Sequence, residues 1–253
     1  MKKNYIFKTT LEEFGISNFS DIPVINNVLI NSGEVQENDV FIAIRGGNSY
    51  IQEAKEKGAY VIYDDKTKNI TYPKAFLVND SIKFLQKFAE NWRNTLDLKI
   101  IGITGSNGKT TVKDIIYQLL STKYKGKKTE GNLNNHIGLP VSLLRAENSD
   151  DFLVLVLGMS GFGEIDLLAA IAKPDYGIIT NIGDSHLEFL GSRENVFKAK
   201  SEIIKHVKAK MFLNGDDPFL GDLPGIKVSA DGKSTADYRA RNNNLIRINK
   251  FAE

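Results

Sequence analysis

The stretch Lys99-Ile100-Ile101-Gly102-Ile103-Thr104-Gly105-Ser106-Asn107-Gly108-Lys109-Thr110-Thr111 decides the fold. An apolar, β-branched run passes through a glycine-containing turn into a helix whose apolar positions, Val112, Ile115, Ile116, Leu119 and Leu120, recur at helical spacing. Strand, glycine-rich turn and helix are the setting that a phosphate-binding loop requires. Glycines let backbone amides turn toward phosphate oxygens, and the helix N-terminus adds partial positive charge. On this reading Thr104, Gly105, Ser106, Asn107, Gly108, Lys109, Thr110 and Thr111 bind a nucleoside triphosphate, with ATP expected. Lys109 reaches the β and γ phosphates, and the Thr110 hydroxyl offers an oxygen to Mg²⁺. Ile103 stands where the strict G-x-x-x-x-G-K-[ST] pattern has its first glycine. The competing reading is an ordinary glycine-rich turn.

Downstream the same alternation continues, with strands expected at 152–157, 176–182 and 210–214 and a helix at 193–207. Near-continuous apolar strands separated by helices imply a parallel sheet covered on both faces, the doubly wound α/β architecture, with ligands at the carboxyl ends of the strands. Residues 237–250 begin to alternate like a further strand and then stop, so this P-loop domain reads as incomplete at its C-terminus. Upstream, residues 1–96 read as a small mixed α/β domain with strands at 24–30, 40–44, 60–63 and 75–78. A helix opened by an Asp80 cap and carrying Ile82, Leu85, Phe88, Ala89 and Trp92 closes it. The division falls at 96/97.

Composition excludes several classes. The 253 residues carry 33 Lys and Arg against 31 Asp and Glu, a net charge of +2, and no basic run tracks a nucleic-acid backbone. No window of about 18 apolar residues and no leader pattern occurs, so no membrane insertion and a cytoplasmic location are expected. With no cysteine, any metal must be held by oxygen and imidazole.

The loop Thr104-Gly105-Ser106-Asn107-Gly108-Lys109-Thr110-Thr111 resembles the ATP loop of the Mur ligases and their folylpolyglutamate synthase relatives. Gly131-Asn132-Leu133-Asn134-Asn135-His136-Ile137-Gly138-Leu139-Pro140 and Gly158-Met159-Ser160-Gly161-Phe162-Gly163-Glu164-Ile165 resemble the Mur branch that adds D-alanyl-D-alanine. Thr180-Asn181-Ile182-Gly183-Asp184-Ser185-His186-Leu187-Glu188, Lys198-Ala199-Lys200-Ser201-Glu202-Ile203 and Asn214-Gly215-Asp216-Asp217-Pro218 match in the same order. These runs speak against a folylpolyglutamate-synthase-like enzyme. The resemblance implies an ATP-dependent amide ligase of peptidoglycan precursor synthesis, joining D-alanyl-D-alanine to UDP-MurNAc-tripeptide through an acyl phosphate, and a monomer. Such chemistry needs positioning and charge neutralisation rather than a protein nucleophile.

Lys200 falls about 40° from Val196 on the apolar stripe of its helix, whereas Lys198 and Lys205 point the other way. The resemblance makes it the lysine that CO₂ carbamylates, a carboxylate-like ligand of a second Mg²⁺; the plainer reading is a stem lying along the core edge. His186, in a loop after a strand, matches a ligand of the same metal, so the implied metal set is Thr110, His186 and Lys200. Lys109, Asn135, His186 and Lys200 are the implied catalytic residues. Asn134 is implied to act beside Asn135 on the substrate, although asparagines are also ordinary turn residues. Asn214 and Asp216 resemble the segment near the adenosine. Ser32, Arg45 and Asn48 are the candidate contacts to the UDP-sugar.

Three departures stand out. By the resemblance, Val156 occupies the place of a glutamate that binds the first Mg²⁺ in the family, and valine offers no hard oxygen donor; the plainer reading is a core strand residue outside that site. Glu164 is the nearest carboxylate in sequence. The family's third domain, which closes over ATP, is not within the 253 residues. Asn31-Ser32-Gly33 and Gly46-Gly47-Asn48-Ser49-Tyr50 differ from the family's uridine-site segments. Severe impairment of ligation is therefore expected, and the alternative is a catalytically inactive nucleotide or UDP-sugar binding module.

Overall fold

Phe7 anchors the first core, with its ring against Tyr60, Phe76, Phe84 and Phe88 at centroid separations of 5.4–6.1 Å. It is carried by helix α1 (Lys3–Glu13), whose Ile6, Phe7, Thr10 and Leu11 face inward. Strands β1 (Val28–Leu29), β2 (Val40–Ile42), β3 (Tyr60–Tyr63) and β4 (Ala75–Leu77) form a parallel sheet in the order β1-β2-β3-β4, with helix α2 (Ile51–Glu56) between β2 and β3. Helix α3 (Ser81–Arg93) starts as expected: Asp80 Oδ1 accepts from the amides of Ile82 and Lys83, both at 2.9 Å.

The expected strand at 24–30 is only two residues long. Asn26 and Asn27 are engaged instead with the segment before β2: the Asn26 amide donates to Asn38 O, and that of Asn27 to Asp39 Oδ1. Helices α1 and α2 had not been read from the sequence.

The computed structural model describes residues 2–230, 236–241 and 244–247. The chain divides into two units, Met1–Leu96 with Pro140–Glu147, and Asp97–Leu139 with Asn148–Glu253. A division at 96/97 alone therefore misses Pro140–Glu147. Within the first unit Trp92 Nε1 donates to Ala146 O at 3.0 Å, which ties that segment to α3.

The second unit starts with β5 (Lys99–Thr104) and α4 (Lys109–Ser121), followed by β6 (Gly126–Lys128) and β7 (Phe152–Val156); between these two strands in sequence runs α5 (Gly138–Leu144), whose residues from Pro140 onward belong to the first unit. Next come α6 (Glu164–Ala172), β8 (Tyr176–Ile179), α7 (Leu187–Leu190) and α8 (Arg193–Ser201), and finally β9 (Lys210–Asn214), β10 (Ile226–Ser229), β11 (Tyr238–Arg241) and β12 (Asn244–Arg247). The strand order is β12-β11-β10-β9-β8-β5-β7-β6, parallel throughout except for the antiparallel β11–β12 pair. β5 lies centrally, paired with β7 and β8, so its carboxyl end opens where the chain switches direction across the sheet. Ligands collect at that place in such sheets.

Three expectations need correction. The helix expected at 193–207 is α-helical only to Ser201 and continues as a 3₁₀ turn, Glu202–His206. The strand thought to stop at the C-terminus is β11, against which β12 pairs antiparallel; residues 242–243 and 248–250 of that expected segment lie outside the described residues. The sheet is also not fully covered. Val112, Ile116 and Leu120 pack against Ile101, Ile103, Phe152 and Val154, while Ile115 and Leu119 of the expected stripe are 50% and 66% exposed. The cause is the roll of α4: Lys113 is buried, and its Nζ donates to Thr129 O at 3.1 Å, which turns the helix toward β6 and β7. Ile101, Ile116, Leu120, Tyr176, Ile178 and Phe212 then line an open apolar cavity of about 700 Å³.

Candidate active site

The phosphate loop is held in shape from the neighbouring strand. Ser106 N donates to Asn181 O at 3.0 Å and Asn107 N to Asn181 Oδ1 at 2.9 Å. In return, Thr180 Oγ1 and Asn181 Nδ2 donate to Asn107 O at 2.6 and 3.1 Å, and Gly183 N donates to Ser106 Oγ at 2.8 Å. Thr180 comes so close that a Cβ on Gly105 would sit 1.9 Å from its Oγ1, so no other residue fits at 105. Gly108 caps α4 with φ 78°, the left-handed conformation that glycine adopts without strain. In sequence Thr180 and Asn181 stand only inside a motif; their role as the brace of the loop depends on β8 lying beside β5.

Lys109 lies back across the loop, its Nζ donating to Gly105 O at 2.6 Å and Ser106 O at 3.1 Å. Burial lowers its pKa below the ordinary lysine value. Thr104 is fully buried beneath the loop, and its Oγ1 has no hydrogen-bond partner among the described residues. Thr110 and Thr111, on the first turn of α4, are exposed.

Lys200 and His186 lie close enough to this lysine to feel its charge. Lys200 is 1% exposed, as the helical period foretold, and no hydrogen bond or ion pair reaches it from the described residues. Burial, reinforced by the charge of Lys109, lowers its pKa to about 8. His186 adopts φ 64° at the start of α7. Its pKa is lowered by burial first and then by the charges of Lys200 and Lys109, with Glu188 and Glu164 opposing. The imidazole is therefore neutral near pH 7. The structure thus brings together three of the four implied catalytic residues.

Asn134 and Asn135 lie on the loop between β6 and α5. Gly158 N, just past β7, donates to Asn134 O at 2.8 Å, and a Cβ on Gly158 would come within 2.9 Å of the Asn134 carboxamide. Asn135 has a local role: its Oδ1 accepts from Ile137 N and Gly138 N at 3.1 and 2.9 Å and caps α5. Its carboxamide oxygen is thereby engaged, as the turn reading required.

Glu202, two residues past Lys200, was not singled out from the sequence. Its carboxylate accepts from Gly163 N at 2.9 Å and from Asp166 N at 3.0 Å, clamping the first turn of α6 to the segment that carries Lys200. Asp217 was likewise underread: it is buried, and its Oδ2 accepts from Ile182 N at 2.7 Å, fixing the loop that leads to His186. Both are backbone acceptors at long sequence separation, for which the one-dimensional pattern carries no signal.

Asn214 lines a cavity of about 470 Å³ with Val112, Thr180, Phe212, Val228 and Ala230, beside the phosphate loop. Its apolar walls and single amide suit a nucleobase. Asp216 does not point into open space; its carboxylate accepts from Ser229 Oγ and, at 2.7 Å, from Ala230 N, holding the rim of that cavity.

In the first unit, Ser32 and Arg45 line a cavity of about 460 Å³ together with Tyr50 and Glu53. Ser32 Oγ donates to Glu53 Oε2 at 2.6 Å, and Lys57 Nζ donates to Glu53 Oε1 at 2.8 Å. Asn48 is not brought to this cavity. Its Nδ2 donates to Asp64 Oδ1 at 3.1 Å, and it lines a separate cavity of about 310 Å³.

For a divalent metal the donor set is poor. Among the described residues no three His, Cys, Asp or Glu side chains converge as metal ligands. Val156, at the carboxyl end of β7, is buried, with its amide on Thr129 Oγ1 at 3.0 Å. Glu164 Oε2 accepts from Ser160 N at 3.1 Å. Thr110, His186 and the Lys200 ammonium supply one hydroxyl, one imidazole and one cation, which do not fit the hard-oxygen octahedron of Mg²⁺.

The chain matches the model of the Mur ligase middle domain over residues 103–251. It is 40% identical over 225 residues to UDP-N-acetylmuramoyl-tripeptide--D-alanyl-D-alanine ligase of Bacillus subtilis, covering 85% of this chain and 49% of that protein. Among solved structures it resembles MurF from Acinetobacter baumannii, with TM-score 0.81 and 25% identity over 95% of this chain and 55% of that one. It also resembles MurF ligase from Thermotoga maritima in complex with ADP, with TM-score 0.76 and 35% identity over 90% and 56%. The chain spans about half the length of the curated relatives it matches. Among the described residues no helix is long and apolar enough to cross a membrane.

Proposed function

The chain belongs to the Mur ligase family, and on that premise we propose that it carries the nucleotide-binding and UDP-substrate-binding portions of an ATP-dependent ligase joining D-alanyl-D-alanine to UDP-MurNAc-tripeptide. The observation that carries the reading is the braced loop with Lys109 lying across it and Lys200 close enough to feel its charge. In this reading the amides of residues 105–111 take the polyphosphate, and the cavity at Asn214 takes the base. The γ-phosphoryl group passes to the tripeptide carboxylate with release of ADP. The amine of D-alanyl-D-alanine then attacks the acyl carbon, and the tetrahedral intermediate expels inorganic phosphate. Lys109 neutralises the charge that the phosphoryl oxygens carry, and the Asn134 carboxamide offers a neutral donor near the acyl group. The cavity of Ser32 and Arg45 is assigned to the UDP-sugar, with Glu53 fixing the Ser32 hydroxyl. The same reading expects a cytoplasmic monomer.

Lys200 also suits carbamylation. With a pKa of about 8 its free-base fraction near neutral pH exceeds that of an ordinary lysine about 300-fold. The amine lone pair forms the N–C bond to CO₂ and a proton leaves, giving a carbamate anion in a pocket that then holds Lys109 as its counter-ion. Mg²⁺ is expected by family, but Thr110, His186 and Lys200 offer it a poor donor set.

Val156 favours a chain severely impaired in ligation, and it is the feature that supports the alternative of an inactive nucleotide or UDP-sugar binding module. The test is phosphate release with ATP, Mg²⁺, UDP-MurNAc-tripeptide and D-alanyl-D-alanine, run beside the Bacillus subtilis relative. The expected rate is lower by at least about 100-fold, the scale of losing one charge-stabilising group. A comparable rate would overturn the impairment.

A further inference from the structure

The brace that shapes the phosphate loop is itself anchored from outside. Asn181 accepts from the amides of Ser106 and Asn107, and Gly183 N donates to Ser106 Oγ, so the two residues on either side of Ile182 both grip the loop. The Ile182 amide between them donates to Asp217 Oδ2 at 2.7 Å, across 35 positions of sequence. Asp217 is buried, and its Oδ1 accepts from Phe219 N at 2.9 Å, so backbone amides engage both carboxylate oxygens. Swinging away from Ile182 would leave a buried oxygen and a buried amide without partners, which is costly.

Asp217 also stands on the turn after β9 that builds the cavity assigned above to the base. Asn214 lines that cavity, and its Oδ1 accepts from Asp216 N at 3.0 Å. Asp216 in turn holds Ser229 and Ala230 on the cavity's rim, and Asp217 N donates to Asn214 O at 3.3 Å. One four-residue turn is therefore bonded to the wall of the cavity on one side and to the brace of the phosphate loop on the other. We propose that Asp217 is a positioning residue for nucleotide binding: through Ile182 it fixes the phosphate loop relative to the cavity at Asn214, so that the two ends of one nucleotide meet groups already in place. The inference rests on the nucleotide-binding reading above and deepens it. With the loop held before the ligand arrives, its ordering is not charged against affinity.

The test is calorimetric titration with ADP of the chain and of Asp217→Ala, with folding checked by circular dichroism, beside backbone hydrogen exchange of both proteins without nucleotide. Asp217→Ala is expected to weaken ADP by about tenfold, the scale of one hydrogen bond to a charged group. Exchange is expected to quicken at Ser106, Asn107 and Ile182 and to stay unchanged along β7. A change in ADP affinity smaller than about threefold overturns the inference, because the brace then holds without Asp217. Faster exchange spread evenly over β5 and β7 also overturns it, since Asp217 would then support the fold as a whole. If Asp217→Ala does not fold, exchange in the unaltered chain decides: Ile182 is expected to gain protection with ADP together with Ser106 and Asn107, and an Ile182 amide indifferent to ADP overturns the inference. Absence of ADP binding by the unaltered chain overturns the nucleotide reading itself, and the inference falls with it.

Discussion

At the scale of single residues, Lys200 carries the sharpest consequence. A lysine that is 1% exposed with a pKa of about 8 is protonated more readily unfolded than folded, so it costs stability. The sign follows from proton binding: between pH 8 and the ordinary lysine value the unfolded chain holds more protons, and stability rises with pH across that window. Below pH 8 the cost is constant, with an upper bound of about 3 kcal/mol. Lys200→Met is therefore expected to stabilise the ligand-free chain at pH 7 by about 1–3 kcal/mol, with the gain shrinking toward pH 10. Denaturant melts at pH 7 and pH 10 check this, and a loss of stability at pH 7 would contradict it. That Lys200 points inward was legible because a helix has a fixed period. That it lies close to Lys109 and His186 was not, since those side chains come from α4, α8 and the loop before α7, and only the sheet order brings them together.

At the scale of elements, the clamp made by Glu202 decides how α6 begins. Gly163 caps a nine-residue helix and Asp166 lies in its first turn, where amide groups have no intrahelical partner, and one carboxylate accepts from both. Glu202→Ala is expected to cost about 1–2 kcal/mol, as loss of a helix cap does, and to lower the thermal midpoint by a few degrees. An unchanged midpoint would show that the clamp contributes nothing. The elements themselves were largely legible: β5, the phosphate loop, α4 and the Asp80 cap of α3 each rest on local pattern. The failures were equally physical. Strand 24–30 shrank because Asn26 and Asn27 bond elsewhere, α1 was missed although Ile6, Phe7, Thr10 and Leu11 share one helical face, and the roll of α4 is set by Lys113 reaching Thr129, a contact between residues sixteen apart in sequence.

At the scale of the whole molecule, the chain holds two separate cavities, one lined by Ser32 and Arg45 in the first unit and one lined by Asn214 in the second, to which the proposed function assigns two different nucleotides. Arg45 is the cation of the first cavity, and Arg45→Ala is expected to weaken UDP-MurNAc-tripeptide by about tenfold in a titration, the scale of one charge-assisted contact. An unaltered affinity would remove Arg45 from that site. The two-unit division was legible from the break near residue 96, but the inclusion of Pro140–Glu147 in the first unit was not, because no composition change marks it. The central claim is that the braced loop around Lys109 is a nucleotide phosphate site. The most direct measurement is calorimetric titration with ADP of the chain and of Lys109→Ala. Saturable binding of one nucleotide per chain, weakened at least about tenfold by the substitution, is the predicted result. Equal affinity in the two proteins would contradict the account.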